Sequence, residues 1–309
     1  MESFKKEIYE SHELRVVTSQ REDKDYFLSN FPFENYQEQL DFIWEKKQKT
    51  KALISFAISI TGEAISLPKS PFGGFWIIEN SSSASIEAFI LASIEELESR
   101  GIKSITIIQA PKPYQPHADL INYLLFKSGF VQENVMSHQF FIGRKKLKKL
   151  AQKESSKLLS KSKNSDLQVR YSSISNFGFL KEIKSWNSQK GYEIAVDENR
   201  IVQQVSEYPH RYFLITLSKN AVPIGYSLGV KLTSNSLYYF LSAINPKIQV
   251  KNGGELIVNA LFQLAVEQKV DFIDLGSSDL EDEVNHKLMF FKSRFSNDMS
   301  NKITWVKKL

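Results

Sequence analysis

The chain has 309 residues, 42% of them hydrophobic and 12% aromatic, which is enough apolar material for two cores of ordinary size. It contains no cysteine, which excludes disulfides, thiolate nucleophiles and Cys-ligated zinc, and its five scattered histidines show no metal-ligand spacing, so no metal is expected. The net charge of +5 is uneven: nine basic residues and one acidic residue, Glu154, lie between Arg144 and Lys163, so that stretch carries +8 and the remainder −3.

In chain order, Leu14 to Ser19 reads as a strand and Asp23 to Lys49 as one or two helices interrupted at Pro32. Ala52 to Ile60 is apolar and β-branched, Gly62-Glu63 makes a turn, and Ala64 to Leu67 and Phe75 to Ile78 follow as strands. Ser85 opens a helix with Ile86, Phe89, Ile90, Ile94 and Leu97 on one face. Ser104 to Ile108 is a buried-type strand, Ala118 to Lys127 a helix closed by Gly129, and Gln139 to Ile142 a further strand. The segment Arg144 to Asp166 is rich in Lys and Ser and reads as a solvated connector or an amphipathic helix. A basic segment of this kind, 144–163, can also make weak contact with an anionic surface, a nucleic acid or a membrane, although it has no aromatics to stack on bases.

The same order then recurs. Leu167 to Ser172 is a strand, and Phe177 to Gln189 and Glu198 to Glu207 are helices. Tyr212 to Leu217, Ile224 to Lys231 and Leu237 to Ala243 form a meander. Glu255 to Gln268 is a helix, Phe272 to Leu275 a strand, Asn285 to Ser293 a helix and Lys302 to Val306 a closing strand. The repetition extends to residues: Leu125-Phe126-Lys127-Ser128-Gly129-Phe130 in the first half answers Phe290-Phe291-Lys292-Ser293-Arg294-Phe295 in the second. The expectation is an α/β (α+β) chain of two units, 1–143 and 167–309, joined by the connector 144–166, each a mixed, mostly antiparallel sheet flanked by helices. No stretch reaches the about eighteen apolar residues of a membrane span, and the start lacks an apolar leader, so a cytoplasmic protein is expected.

The element order and the Leu124-to-Phe130 ending resemble the GNAT acyltransferase fold. Two such units in tandem, with Asp271-Phe272-Ile273-Asp274-Leu275-Gly276 followed by Phe291-Lys292, are similar to the Fem-type peptidyltransferases and exopolysaccharide-type acyltransferases. The resemblance implies an acyl- or aminoacyltransferase acting on an amine or hydroxyl of a small molecule, peptide or cell-envelope precursor. It also implies acyl-CoA, acetyl-CoA included, as donor. The pyrophosphate loop of that family corresponds to Gln249-Val250-Lys251-Asn252-Gly253-Gly254, where backbone N–H groups and a helix start can gather around an anion. A simple turn into a helix explains Asn252, Gly253 and Gly254 equally. The first half offers Asn80-Ser81-Ser82-Ser83-Ala84-Ser85 instead, whose hydroxyls suit helix capping, so that unit is expected to lack the cofactor. The leaving-group tyrosine of many GNAT enzymes falls on Leu125 and Phe290, neither of which carries a proton. Fem-type enzymes using aminoacyl-tRNA carry a helical arm that 166–309 does not contain, which disfavours tRNA.

The candidate catalytic residues are Lys292, for a developing oxyanion, and Asp274, a general base at a strand's C-terminal end. A snorkelling lysine and a turn aspartate are the plain alternatives. Arg294 can meet an anionic substrate or make a surface salt bridge. The stiff loop Ser66 to Trp76 offers Lys69, Pro71, Phe72, Gly73, Gly74 and Trp76 as acceptor-site residues at the junction of the halves, or as a structural loop. Tyr226 and Tyr239 can supply hydroxyls, with Tyr238 facing away from Tyr239 by strand alternation. The competing function is a catalytically inactive GNAT-like module that binds a small ligand or partner.

Overall fold

The computed structural model describes residues 4–9, 11–19, 36–68, 70–162, 166–192, 197–280 and 283–309. Lys69 and the 23–35 part of the expected helices lie outside them. The elements run β1 (Phe4–Tyr9), β2 (His12–Thr18), β3 (Tyr36–Lys46), β4 (Lys49–Ser59), β5 (Glu63–Ser66), β6 (Trp76–Ile77), α1 (Ser83–Ser99), β7 (Ser104–Gln109), α2 (Ala118–Lys127), β8 (Val131–Ile142) and α3 (Arg144–Ser162). There follow β9 (Leu167–Ser172), α4 (Gly178–Ser188), α5 (Glu198–Glu207), β10 (Tyr212–Lys219), β11 (Val222–Val230), β12 (Ser236–Ile244) and α6 (Gly253–Glu267). The chain ends with β13 (Phe272–Ser277), β14 (Asp279–Leu280), β15 (Glu283–Val284), α7 (His286–Ser293) and β16 (Asp298–Lys308).

The chain forms two compact units, Met1–His138 with Ser300–Leu309, and Gln139–Met299. The boundaries therefore differ from those expected at 143 and 167. β8 starts in the first unit and finishes in the second, and the last strand returns to the first.

In the first unit the strand order is β1-β2-β3-β4-β5-β7-β16, antiparallel except for the parallel pair β5–β7. The helix expected up to Lys49 is wrong from Tyr36 onward. Leu40, Phe42 and Trp44 are buried at every second position, which is a strand's period, and β3 pairs along its length with β4. The hairpin turns on Lys47 and Gln48, both at positive φ, so the usual Asn-Gly signature is missing from the sequence. α1 and α2 cover one face of this sheet: Ile86, Phe89, Ile90, Leu97, Ile121 and Leu125 pack with Phe42, Trp44, Phe56 and Trp305.

The second unit runs β9-β10-β11-β12 antiparallel, with β13 parallel to β12. Ile215, Leu217, Leu237, Ile273 and Leu275 face α6, whose Ile257, Leu261 and Leu264 fill that core. α3 also joins this core. Leu147 and Ala151 are buried and Leu150 packs beside them, at the three- and four-residue spacing of one helical face. The connector is thus not a solvated linker: its first turns are an amphipathic helix docked on the second unit.

Candidate functional site

The parallel pairing of β12 with β13 sets Tyr238 opposite Asp274, so both side chains lie on the sheet face away from α6. Asp274 is fully buried, and its Oδ1 accepts a 2.7 Å hydrogen bond from the Gly276 N–H. Within the last two residues of β13 the backbone takes a positive φ at Gly276 (+73°). A Cβ on this glycine would lie 3.5 Å from Tyr238 Cε2, 3.7 Å from its hydroxyl and 3.8 Å from Lys292 Nζ. Glycine takes this positive φ without strain, and its Cβ position borders both a phenol and an ammonium.

Lys292 comes from the last turn of α7 and is 6% exposed. Its Nζ donates to the Ser277 carbonyl. Burial lowers its pKa from the usual 10.5 to about 8, while the charges of Asp274 and Asp279 hold it up. At neutral pH the group is consequently a cation within a mostly desolvated, acid-lined site. Burial and then the Asp274 charge push the Tyr238 phenol well above the usual range, so this hydroxyl remains a proton donor. Nearby in the chain, the buried Ser278 Oγ and Asp279 Oδ2 lack a hydrogen-bond partner among the described residues. So does Gln139 Oε1, on a side chain whose Nε2 donates to the Met289 carbonyl of α7. Buried polar atoms are rarely left so without a ligand or water to complete them.

The structure brings Lys292 and Asp274 together and leaves most other candidates apart from them. Tyr226 shares their sheet face but is stacked on Trp186 at 5.6 Å, and burial with a hydrogen bond to Glu182 raises its pKa to about 12. Tyr239 points the other way, into the α6 core, with hydrogen bonds to Ser242 and Ser227. The hydroxyl near Asp274 is Tyr238, and the missing information was which face of β12 carries the site. Arg294 makes a 2.9 Å ion pair with Glu255 and lies over the Phe291 and Phe295 rings, so it fastens α7 to the start of α6.

At that start, Asn252 is left-handed (φ 62°) and no side chain caps the helix. Gln249 and Lys251 are exposed. The two glycines have neighbours that account for them: a Cβ on Gly253 would meet Ile244, Val250 and Leu217 at 3.0 to 3.3 Å, and one on Gly254 would meet Phe291 at 3.1 Å. The elements that fit a phosphate are the uncapped helix start, Asn252 and Lys251.

The first-unit loop is structural. Phe72 and Phe75 are buried, and Phe72 packs on Tyr114 at 4.4 Å and on Trp76 at 6.1 Å. Gly73 donates from its N–H to the Ile108 carbonyl (2.8 Å), and a Cβ on it would lie 2.8 Å from the Ser66 carbonyl oxygen. Gly74, at φ +78°, has its Cβ position filled by the Gln109 side chain, which bonds the Phe75 backbone through both amide atoms. The Pro71 carbonyl accepts from Lys302 Nζ. Packing and backbone contacts beyond the paired part of β5 and β7 thus account for Phe72, Gly73 and Gly74, and the proposed acceptor-site role of this loop has no observation behind it among the described residues.

No protein-family model matches the chain, and no curated protein matches it in sequence. Solved structures do match in fold. FemX aligns over 87% of each chain with a TM-score of 0.63 at 11% identity. The C-terminal domain of a putative lysylphosphatidylglycerol synthetase from Agrobacterium fabrum aligns over 84% of this chain and 82% of its own, with a TM-score of 0.53 at 13% identity. A tandem GNAT protein from the clavulanic acid biosynthesis pathway aligns over 87% and 82%, with a TM-score of 0.52 at 9% identity. The likeness at these identities is one of architecture: this chain has the tandem GNAT fold that FemX also has.

Proposed function

We propose that the second unit is a transferase that moves an acyl or aminoacyl group onto an amine or hydroxyl, with its chemistry at Lys292, Asp274 and Tyr238. The observation that carries this reading is the buried Lys292 ammonium, held charged by Asp274 and Asp279, with the Tyr238 hydroxyl and Lys292 Nζ both within 4 Å of the Cβ position of Gly276. A buried charge of this kind is costly for stability, and strongly shifted groups concentrate at reactive sites. Lys292 stabilises the oxyanion as the acceptor's nitrogen or oxygen bonds to the acyl carbon. The proton shed by the acceptor goes to Asp274. The bond to the donor's leaving atom breaks, that atom takes the Tyr238 hydroxyl proton, and Asp274 returns a proton to Tyr238.

The acceptor is a small-molecule, peptide or cell-envelope precursor, and the lysylphosphatidylglycerol synthetase neighbour supports the last of these. Acyl-CoA is the proposed donor, held through its phosphates by Lys251 and the backbone at the start of α6. Binding of acyl-CoA would supply the activated thioester. The test is a thermal-shift and turnover screen of acyl-CoAs with amine and hydroxyl acceptors on the intact chain. Stabilisation that Lys251→Glu reduces, with turnover that Lys292→Ala removes, is the expected result; turnover unaffected by Lys292→Ala overturns the mechanism. A second reading, a non-catalytic binder, is favoured by the packing that fills the faces of Gly253 and Gly254. Its outcome is a thermal shift from an acceptor-like ligand with no response to any acyl-CoA.

A further inference from the structure

The first ten residues of α3, Arg144 to Lys153, contain six basic residues and no acidic one, in a chain whose whole net charge is +5. Leu147 and Ala151 are buried against the second unit's core, with Leu150 beside them. Arg144, Lys145, Lys146, Lys148, Lys149 and Lys153 are all exposed, and among the described residues none of the six takes part in an ion pair. At about 100° per residue, the buried positions occupy one side of the helix and the six cations spread over roughly 200° of the rest.

We propose that this face of α3 is a docking surface for an anionic lipid bilayer. The proposal is independent of the transferase reading, because it concerns neither α7 nor the end of β13. Three features select the partner. The cations are compact, strongly hydrated lysines at five of six positions, suited to diffuse headgroup charge, whereas fixed phosphates are usually gripped by the planar fork of arginine. No aromatic side chain lies between Arg144 and Lys153 to stack on a base, as single-stranded nucleic acid binding requires. Mobile headgroups can also gather around charges spread over a wide arc, which the rigid phosphate rails of a duplex match poorly. Because the apolar side of these turns is already committed to the protein core, the helix adsorbs through charge and does not insert. Each cation near such a surface raises partitioning by roughly fivefold at low salt.

The experiment is co-sedimentation of the full chain with phosphatidylcholine vesicles containing about one third phosphatidylglycerol, against pure phosphatidylcholine vesicles, at about 0.1 M and 0.5 M salt. The comparison protein is the triple variant Lys145→Glu, Lys148→Glu, Lys149→Glu, which leaves Leu147 and Ala151 in place; unchanged melting and elution verify its fold. Binding to the anionic vesicles alone, lost at high salt and weakened at least tenfold in the variant, is the expected result. The proposal fails if the anionic vesicles do not bind, if neutral vesicles bind equally, or if the variant binds as before. It also fails if duplex RNA at equal phosphate concentration strips the protein from the vesicles, since the face would then belong to nucleic acid.

Discussion

Lys127 and Lys292 occupy the same place in a repeated Phe-Lys-Ser sequence, yet one is exposed and the other is 6% exposed. Lys127 sits at the surface with its ammonium 5.7 Å from the Tyr123 ring. Its flanking Leu125 is fully buried, whereas the corresponding Phe290 is 71% exposed. The two helices thus turn different sides to their sheets. α2 buries Ile121, Leu124 and Leu125, an ordinary apolar stripe. α7 is shorter and buries Lys292, with Phe291 and Phe295 packed toward the second core. Self-similar sequence therefore does not bring shared orientation, and the buried ammonium is the one whose charge Asp274 and Asp279 support.

The sharpest way to break this contrast is to remove each lysine. Lys292→Ala should lower turnover on the order of a hundredfold to a thousandfold, while Lys127→Ala should leave it within about twofold, since exposed substitutions rarely matter. Because deleting Lys292 leaves Asp274 buried and unbalanced, the double variant Lys292→Met, Asp274→Asn serves as the folded control in a melting experiment. The pH profile tests the same difference. If the ammonium form of Lys292 is the active one, turnover should fall as pH rises through about 8. Stability should move in the opposite direction. The folded pKa lies below the unfolded one, so between pH 8 and 10.5 the unfolded chain binds more protons and the contribution of Lys292 to stability increases with pH.

Further down in size, Gly74→Ala places a methyl on the Gln109 side chain at a left-handed position and should cost about 3 kcal/mol in denaturant unfolding. Leu147→Ala should cost about 3 kcal/mol and raise hydrogen exchange along α3, separating a docked helix from a linker. The smallest effect is expected for Arg294→Ala, about 0.5 kcal/mol, because its ion pair with Glu255 is partly exposed. A large loss of turnover in that variant would return Arg294 to the site.

Much of the element order was legible because alternation and three-to-four spacing report which side chains are buried. The β3–β4 hairpin was missed where its turn, Lys47-Gln48, used residues without a turn signature. The two lysines could not be told apart from sequence, since the side of α7 that is buried is set by tertiary packing and not by the helix's own pattern. The same holds for Tyr238 and Tyr239: alternation separates them, but only the pairing of β12 with β13 says which one meets Asp274. The loop Ser66 to Trp76 reads as a site because glycine, proline and aromatics crowd it, and those same residue types also serve the close backbone contacts it makes with Ile108 and Gln109.

The last strand places a demand on synthesis. Ile303 and Trp305 belong to the core of the unit that holds β1 to β7, and β16 pairs with β7 from Ile303 to Lys308. Until β16 is made, β7 is paired only with β5 and its other edge lies open beside an unfilled core, a state open to mispairing. A nascent chain halted before β16 would therefore be a natural client for chaperones, and the loss of Ile303 to Lys308 would be felt at β7, far away in the sequence.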